Sequence, residues 1–185
     1  MGGAKLKDVD LDGKRLAAID NLTDQNLLAK AAMEDTDPSV RKAAIEKLTD
    51  QKLLAKVAME GTDLSVCMAA INKLTDQAVL AKLTVDKRLG VRHTVIEKLT
   101  DQALLAKLAV EDKDEDVRMH AINNLTDKAL LTKLAVEGKD EDIRRIAVSK
   151  LEDPKLLAKL AAEDKDEHVR NAAKERLEEL RQPHE

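Results

Sequence analysis

The sequence predicts an all-α protein, an α-solenoid of six two-helix repeats of about 26 residues with a cap at each end. Three observations carry this prediction: a tetrad recurs at a nearly constant spacing, an acidic residue precedes most proposed helices, and every helix has an apolar stripe. A unit this short buries its apolar face only against the next unit, so we expect one continuous stack.

The tetrad Leu-Thr-Asp-Gln marks the repeats, with spacings of 26, 26, 25, 26 and 26 residues. It changes to Leu-Thr-Asp-Lys and Leu-Glu-Asp-Pro in the last two copies, and one deletion in the loop before Val91 explains the short interval. The first residues of the six copies are Leu22, Leu48, Leu74, Leu99, Leu125 and Leu151. We therefore expect repeats at residues 22–47, 48–73, 74–98, 99–124, 125–150 and 151–176.

Each repeat contains two predicted helices. The tetrad aspartate is suited to cap the first helix, because its carboxylate accepts a free backbone N–H. A second aspartate, as at Asp37 or Asp114, caps the second helix, and Pro38 and Pro154 occupy first-turn positions. The first helix carries Leu-Leu-Ala-Lys-Leu-Ala, as at 104–109, and the second repeats apolar residues with a 3.6-residue period.

The two ends of the array are predicted to be caps. One second-helix column is apolar in five repeats, as at Ile45 and Val148, and becomes Lys174 in the last. A column that packs on the next repeat has nothing to cover it at the end of the stack, where a polar face is needed. Residues 1–21 are predicted to contain a tail and a lone capping helix, and residues 177–185 to extend the last helix.

Composition restricts the kinds of function. The chain has 32 basic and 36 acidic residues, a net charge of −4, and no Phe, Tyr or Trp. A binding face must therefore use aliphatic, methionine and charged side chains. The single cysteine, Cys67, excludes an internal disulfide and a Cys₂His₂ or Cys₄ zinc site. Since no signal peptide or membrane span is evident, we expect a cytoplasmic protein, and a monomer.

Five second helices share a pattern that resembles HEAT-like repeats. An Asp or its substitute is followed three residues later by Val or Ile and then Arg, at Val40-Arg41, Val91-Arg92, Val117-Arg118, Ile143-Arg144 and Val169-Arg170. The pattern is similar to the short HEAT-like repeats associated with phycobilisome lyases, and it also approaches the leucine-rich repeat variant family. The resemblance implies a right-handed superhelix whose second helices line the concave face, and a protein-interaction or scaffold role. Two repeats depart from it: Cys67 replaces the Arg, and Arg88 replaces the Asp.

Other motifs have structural interpretations. Asp–Arg pairs such as Asp114 and Arg118 are interpreted as caps with pairing inside and between repeats. Acidic loops such as 112–116 lack the remaining ligands of a calcium loop and are interpreted as caps. Cys67 has no neighbouring base in the pattern and is interpreted as a small packing residue. With no acid–base pair elsewhere, we expect no enzyme activity, no cofactor and no metal site, a soft-metal site of His93, Met68 and Met119 being a minor alternative.

Two second-helix columns vary freely between repeats, whereas most columns hardly change. They lie opposite the apolar stripe and place methionine and isoleucine on a surface expected to face solvent, which is typical of interaction sites. Neutral variation of an unconstrained face is the alternative interpretation. The predicted partner-binding residues are Met68, His93, Thr94, Met119, His120, Arg145, Ile146 and Asn171.

Our main hypothesis is a non-enzymatic scaffold that binds a protein or peptide along this face. Nucleic-acid binding is the second hypothesis, because a basic column runs through Lys47, Lys73, Lys98, Lys150 and Arg176, although the net acidity and the interruption at Asn124 oppose it. A third, an accessory role beside an enzyme such as a chromophore lyase, rests on the resemblance alone.

Overall fold

The protein is all-α, as the sequence predicts. A computed structural model describes residues 4–182, and the side chains of residues 13–182; the predicted ends at 1–3 and 183–185 lie outside this range. The described residues form thirteen helices and no strand, arranged as successive helix pairs, which confirms the all-α repeat class. None of these helices combines the length and hydrophobicity that crossing a bilayer requires.

The chain divides into two compact units, residues 1–98 and 99–185, and the division falls between the third and fourth predicted repeats. The helices of the N-terminal unit are α1 (Ala4–Asn21), α2 (Gln25–Glu34), α3 (Pro38–Lys47), α4 (Gln51–Glu60), α5 (Leu64–Lys73), α6 (Gln77–Leu83) and α7 (Leu89–Ile96). Those of the C-terminal unit are α8 (Gln102–Glu111), α9 (Glu115–Asn124), α10 (Lys128–Glu137), α11 (Glu141–Ser149), α12 (Pro154–Glu163) and α13 (Glu167–Arg181).

Each unit is a stack of helix pairs. In the N-terminal unit the pairs are α2–α3, α4–α5 and α6–α7, and second helices pack on second helices, with α1 against α3, α3 against α5 and α5 against α7. In the C-terminal unit the pairs are α8–α9, α10–α11 and α12–α13, with α9 against α11 and α11 against α13. The lone helix α1 therefore takes the place of a second helix at the start of its unit.

Apolar columns fill the space between the pairs. The tetrad leucines from the second repeat onward are buried, and so is the Ile45 column as far as Val148. Lys174, which continues that column, is exposed, and this confirms the polar outer face predicted for the last helix. At the other end, Ile19 of α1 is buried.

Aspartates cap the helices as predicted. Asp24 Oδ1 accepts from the backbone N–H groups of Asn26 (2.8 Å) and Leu27 (3.1 Å), and each of the other five tetrad aspartates accepts from one or two N–H groups in the first turn of its helix. The exception among the second helices is α7, whose N-cap residue is Arg88 and makes no side-chain cap. This helix has 8 residues, against 10 in α3, α5 and α9.

Candidate partner-binding face

The structure separates the eight predicted site residues into accessible and buried side chains. Met68 and His93 in the N-terminal unit are half-buried, as are Met119 and Arg145 in the C-terminal unit. His120 and Asn171 are exposed. These six residues are accessible to a partner, three of them carry a charged or titratable group, and none forms part of the apolar core.

Thr94 and Ile146 are not on the solvent side, and the expectation of solvent exposure for them is wrong. Thr94 is 4% exposed, and its hydroxyl donates to the Gly90 carbonyl one turn earlier (2.9 Å). Ile146 is 8% exposed on α11, which packs closely on α13. These two side chains are therefore buried, whereas His120, which belongs to the same column, is exposed.

In the N-terminal unit, Met68 lies against the start of the neighbouring second helix. A Cβ atom added to Gly90 of α7 would be 3.6 Å from Met68 Sδ and 3.3 Å from a methyl of Leu64. Gly90 therefore permits a close approach of α5 side chains to α7, one turn before His93. The result is a partly exposed surface on which the Met68 and Leu64 side chains lie beside the start of α7.

In the C-terminal unit, the face has an internal ion pair. Arg145 Nη2 donates to Asp142 Oδ1 at 2.9 Å, three residues earlier on α11, and both side chains remain nearly half exposed. The pair is therefore accessible and only weakly stabilising. It presents a guanidinium and a carboxylate that a polar partner group can engage without desolvating a buried charge.

The tetrad is used inside the array. Gln25 Oε1 accepts from the backbone N–H of Thr49 (2.8 Å), from the Thr49 hydroxyl (3.1 Å) and from the backbone N–H of Asp50 (3.0 Å). Gln51 makes the corresponding contacts to Thr75, and Gln102 to Thr126. Each glutamine thus holds the loop of the following repeat, and the tetrad has a structural role.

The basic column proposed for nucleic-acid binding is also used inside the array. Lys73 Nζ donates to the carbonyls of Ile45 (3.1 Å) and Glu46, at the C-terminal end of the preceding second helix, where a cation complements the helix dipole. Lys47, Lys98 and Lys150 bind the preceding second helix of their own unit similarly, and Arg176 Nε donates to Leu151 O (2.9 Å). Burial lowers the pKa of Lys150. These side chains are therefore engaged with backbone carbonyls at the ends of helices.

Arginines of the Val-Arg pattern bind loops. Arg118 donates to the Asp112 carbonyl (3.1 Å) and pairs with Asp140 of the next repeat (3.4 Å), rather than with Asp114 four residues earlier. Of the pairings predicted within and between repeats, Arg118 therefore makes the one between repeats. In repeat five, Arg144 is 2% exposed and pairs with Asp164, while also donating to the Gly138 carbonyl (3.0 Å).

The two departures from the repeat pattern compensate each other. Arg88 Nη1 donates to the Gly61 carbonyl (2.8 Å) and to Cys67 Sγ (3.3 Å), and Arg88 also pairs with Asp86 through Nε (2.9 Å) and Nη2 (2.8 Å). This guanidinium stands where an arginine at position 67 would place its own. Cys67 is fully buried, and burial raises the pKa of its thiol. It is a packing residue, as its place in the pattern indicated.

Asp63 shows how strongly these inter-repeat contacts hold a carboxylate. The Ser65 hydroxyl (2.6 Å) and Arg41 (2.7 Å) are the main groups that lower the pKa of Asp63 to about 2. Since the folded pKa is depressed, the ionised form stabilises the fold above the unfolded value of 3.8, and this stability is lost as the pH falls towards 2. Its contribution is about 1–2 kcal/mol, because the carboxylate is partly exposed and screened.

We therefore expect Asp63→Asn to lower the free energy of unfolding by about 1–2 kcal/mol near neutral pH. The difference from the wild type should shrink as the pH falls from about 4 to 2, and urea unfolding at several pH values measures it. Asp24→Asn is the control, because Asp24 caps α2 with no basic group within 4 Å among the described side chains. A difference that is independent of pH would contradict the assignment.

Within residues 13–182, no group of three or more His, Cys, Asp and Glu side chains is placed to hold a metal ion. The fold and the face define the class of repeat proteins made of stacked helix pairs. Residues 30–48 match a family described as a HEAT repeat associated with sister chromatid cohesion, which supports a HEAT-like repeat protein. No curated protein matches the chain.

Proposed function

We propose that the protein is a non-enzymatic scaffold that binds a protein or peptide segment on the outward side of its second helices. The proposed contact residues are Met68 and His93 in the N-terminal unit, and Met119, His120, Arg145 and Asn171 in the C-terminal unit. Thr94 and Ile146 support the packing behind this face. The proposed cytoplasmic location stays a prediction.

The observation that carries the proposal is the contrast between columns. Side chains in the nearly invariant columns are committed to the array: glutamines hold loops, lysines cap helices and arginines bind loop carbonyls. The columns that vary between repeats supply the accessible methionines, histidines and Arg145. A surface that changes while its support is constant is typical of recognition, and methionine adapts to partners of different shape.

The same contrast favours a protein partner over nucleic acid. The lysine ammonium groups that suggested phosphate binding already donate to backbone carbonyls, so phosphate binding would require breaking helix caps. The accessible residues of the face are apolar or near-neutral apart from Arg145, which Asp142 neutralises. No contact in the described residues supports an accessory role in chromophore chemistry.

A peptide library displayed on phage tests the proposal directly. We expect peptides selected on the full chain to bind at least tenfold more weakly to the variant Met119→Glu/Arg145→Glu, because it places charge where apolar contact and a guanidinium are needed. Melting temperature and helicity should hardly change, because both side chains are partly exposed.

The matched control is Val136→Glu, on the first-helix side of the same unit, where Val136 is 52% exposed. It should leave peptide binding unchanged. Equal binding of the selected peptides to the double variant, or selection of no peptide at all, would contradict the proposed face.

A further inference from the structure

Four exposed apolar side chains come together at the loops of repeats two and three. Among the side chains of residues 13–182, eight large apolar ones are exposed, and half of these lie in or directly beside the two helix-connecting loops of repeats two and three. We call these four residues the loop patch: Met59 (41% exposed), Leu64 (42%), Val85 (84%) and Leu89 (38%). Val85 is the most exposed of the eight.

The two leucines of the loop patch interrupt the repeat pattern, whereas Met59 and Val85 belong to a first-helix column that is apolar in every repeat. The position held by Leu64 and Leu89 begins each second helix, and it is Pro38 in the first repeat and a glutamate in the last three: Glu115, Glu141 and Glu167. An acidic first turn stabilises a helix, so its replacement by exposed leucine in two adjacent repeats has no benefit for the helix itself. Contiguous exposed apolar side chains indicate a contact surface.

A groove of about 570 Å³ runs between the two loops and carries one free charge on each side. Glu60 lies on the side of the groove formed by the end of α4, and Lys87 lies on the side formed by the loop before α7. Neither side chain forms an ion pair or a side-chain hydrogen bond among the described residues, and both are exposed. The other charges of the groove, Asp86 and Arg88, are paired with each other at 2.8 Å.

We propose that the loop patch binds the loop patch of a second copy of this chain. In a contact with two-fold symmetry, every contact between two different residues occurs twice. If the two-fold axis passes between the two loops, the loop of repeat two in one copy faces the loop of repeat three in the other copy. Met59 of one copy then approaches Val85 of the other, and Leu64 approaches Leu89. The same rotation places Glu60 of each copy opposite Lys87 of the other, which pairs both free charges.

The charge arrangement is what selects a second copy as the occupant. The apolar residues of the two loops correspond by repeat position, while their free charges are opposite in sign. A surface with these properties is complementary to itself. The contact is separate from the proposed partner-binding face, and the proposal differs from the monomer expected from the sequence.

The association is reversible and depends on concentration. A stable interface buries about 800 Å² on each partner, which is more than four partly exposed side chains and one groove provide. Sedimentation equilibrium of the full chain over a wide range of concentrations therefore measures it, and the wild type is expected to pass from monomer to dimer.

Charge exchange provides the decisive variants. Glu60→Lys and Lys87→Glu alone each place like charges together at two symmetric positions, and each weakens the dimer roughly tenfold or more. The double variant Glu60→Lys/Lys87→Glu restores opposite charges at both positions and recovers the dimer. Val85→Glu removes the dimer by burying a charge.

The matched control is Glu137→Lys/Lys139→Glu, together with each single change, at the corresponding loop of repeat five. These variants leave the association unchanged. The proposal is overturned if the wild type is monomeric at every concentration. This holds even if the loop patch then proves to bind a different protein. A dimer that Glu60→Lys does not weaken, or one that the double exchange fails to recover, also overturns the proposal.

Discussion

Replacing Asp164 with asparagine is expected to lower the free energy of unfolding of the protein by about 3 kcal/mol or more. Asp164 accepts from Arg144 Nε (3.2 Å) and Nη2 (3.2 Å), and the side chains are 7% and 2% exposed. Removing the carboxylate leaves a guanidinium that is 2% exposed without its counter-ion. Asparagine still accepts the Asp166 N–H as Asp164 Oδ1 does, so the effect reports the lost charge.

Asp140→Asn is the matched control for this loss. Asp140 also pairs with an arginine of the preceding repeat, and its side chain caps α11, but it is 37% exposed and its distance to Arg118 is 3.4 Å. We expect a loss of less than about 1 kcal/mol there. The combination Arg144→Met/Asp164→Asn should be more stable than Asp164→Asn alone, since it no longer buries a charge. Guanidinium-induced unfolding measures all three, and equal losses at Asp164 and Asp140 would contradict the role of burial.

Replacing Arg88 with alanine is the second change expected to have a large effect, of about 2–4 kcal/mol. The substitution removes the guanidinium donor of the Ala58 carbonyl and leaves the Gly61 carbonyl with the weak Cys67 thiol donor alone. It also leaves the Asp86 carboxylate, 14% exposed, without its counter-ion. Arg88→Lys should recover only part of the loss, because an ammonium group cannot span acceptors arranged for a planar guanidinium. Thermal and denaturant unfolding report the effect.

The variant Cys67→Arg/Arg88→Asp tests whether the two departures compensate each other. It returns both positions to the pattern of repeat five. There Arg144 donates to the Gly138 carbonyl and pairs with the loop aspartate of the next repeat. In the wild type, Arg88 makes the equivalent contacts to the Gly61 carbonyl and Asp86. Asp at position 88 would also cap α7, which has no side-chain cap. We expect the double variant to be close to the wild type and far more stable than Cys67→Arg. A double variant that loses the sum of its single losses would show that the sites are independent.

Sequence periodicity was sufficient for most of the fold. The tetrad spacing, the capping aspartates and the change from Val148 to Lys174 depend on contacts that recur from repeat to repeat. They are therefore visible as regular patterns in the sequence. The exchange between Cys67 and Arg88 leaves two isolated exceptions that look unrelated, because they are 21 residues apart and meet only after the repeats stack.

The candidate site was harder to predict, because a helical wheel does not show how closely second helices approach one another. Ile146 and Thr94 lie opposite the apolar stripe of their own helix and are nevertheless buried by a neighbouring helix or turn. The lysine column had the same difficulty, since a basic row at regular spacing is equally typical of phosphate binding and of helix capping. The loop patch was visible as a change from glutamate to leucine, but its significance depends on the two loops being adjacent.

The glutamine and lysine contacts also bear on how such a chain can lengthen during evolution. A tetrad glutamine reaches forward to the next loop, and the lysine at the end of a second helix reaches back to the preceding helix. A duplicated segment of one full period therefore arrives with both connections already compatible with its neighbours. The 25-residue third repeat, in which Lys98 still donates to the Asn72 carbonyl, shows that a loop can lose one residue. An insertion of half a repeat, however, would separate donors from acceptors, so selection would favour growth by whole repeats.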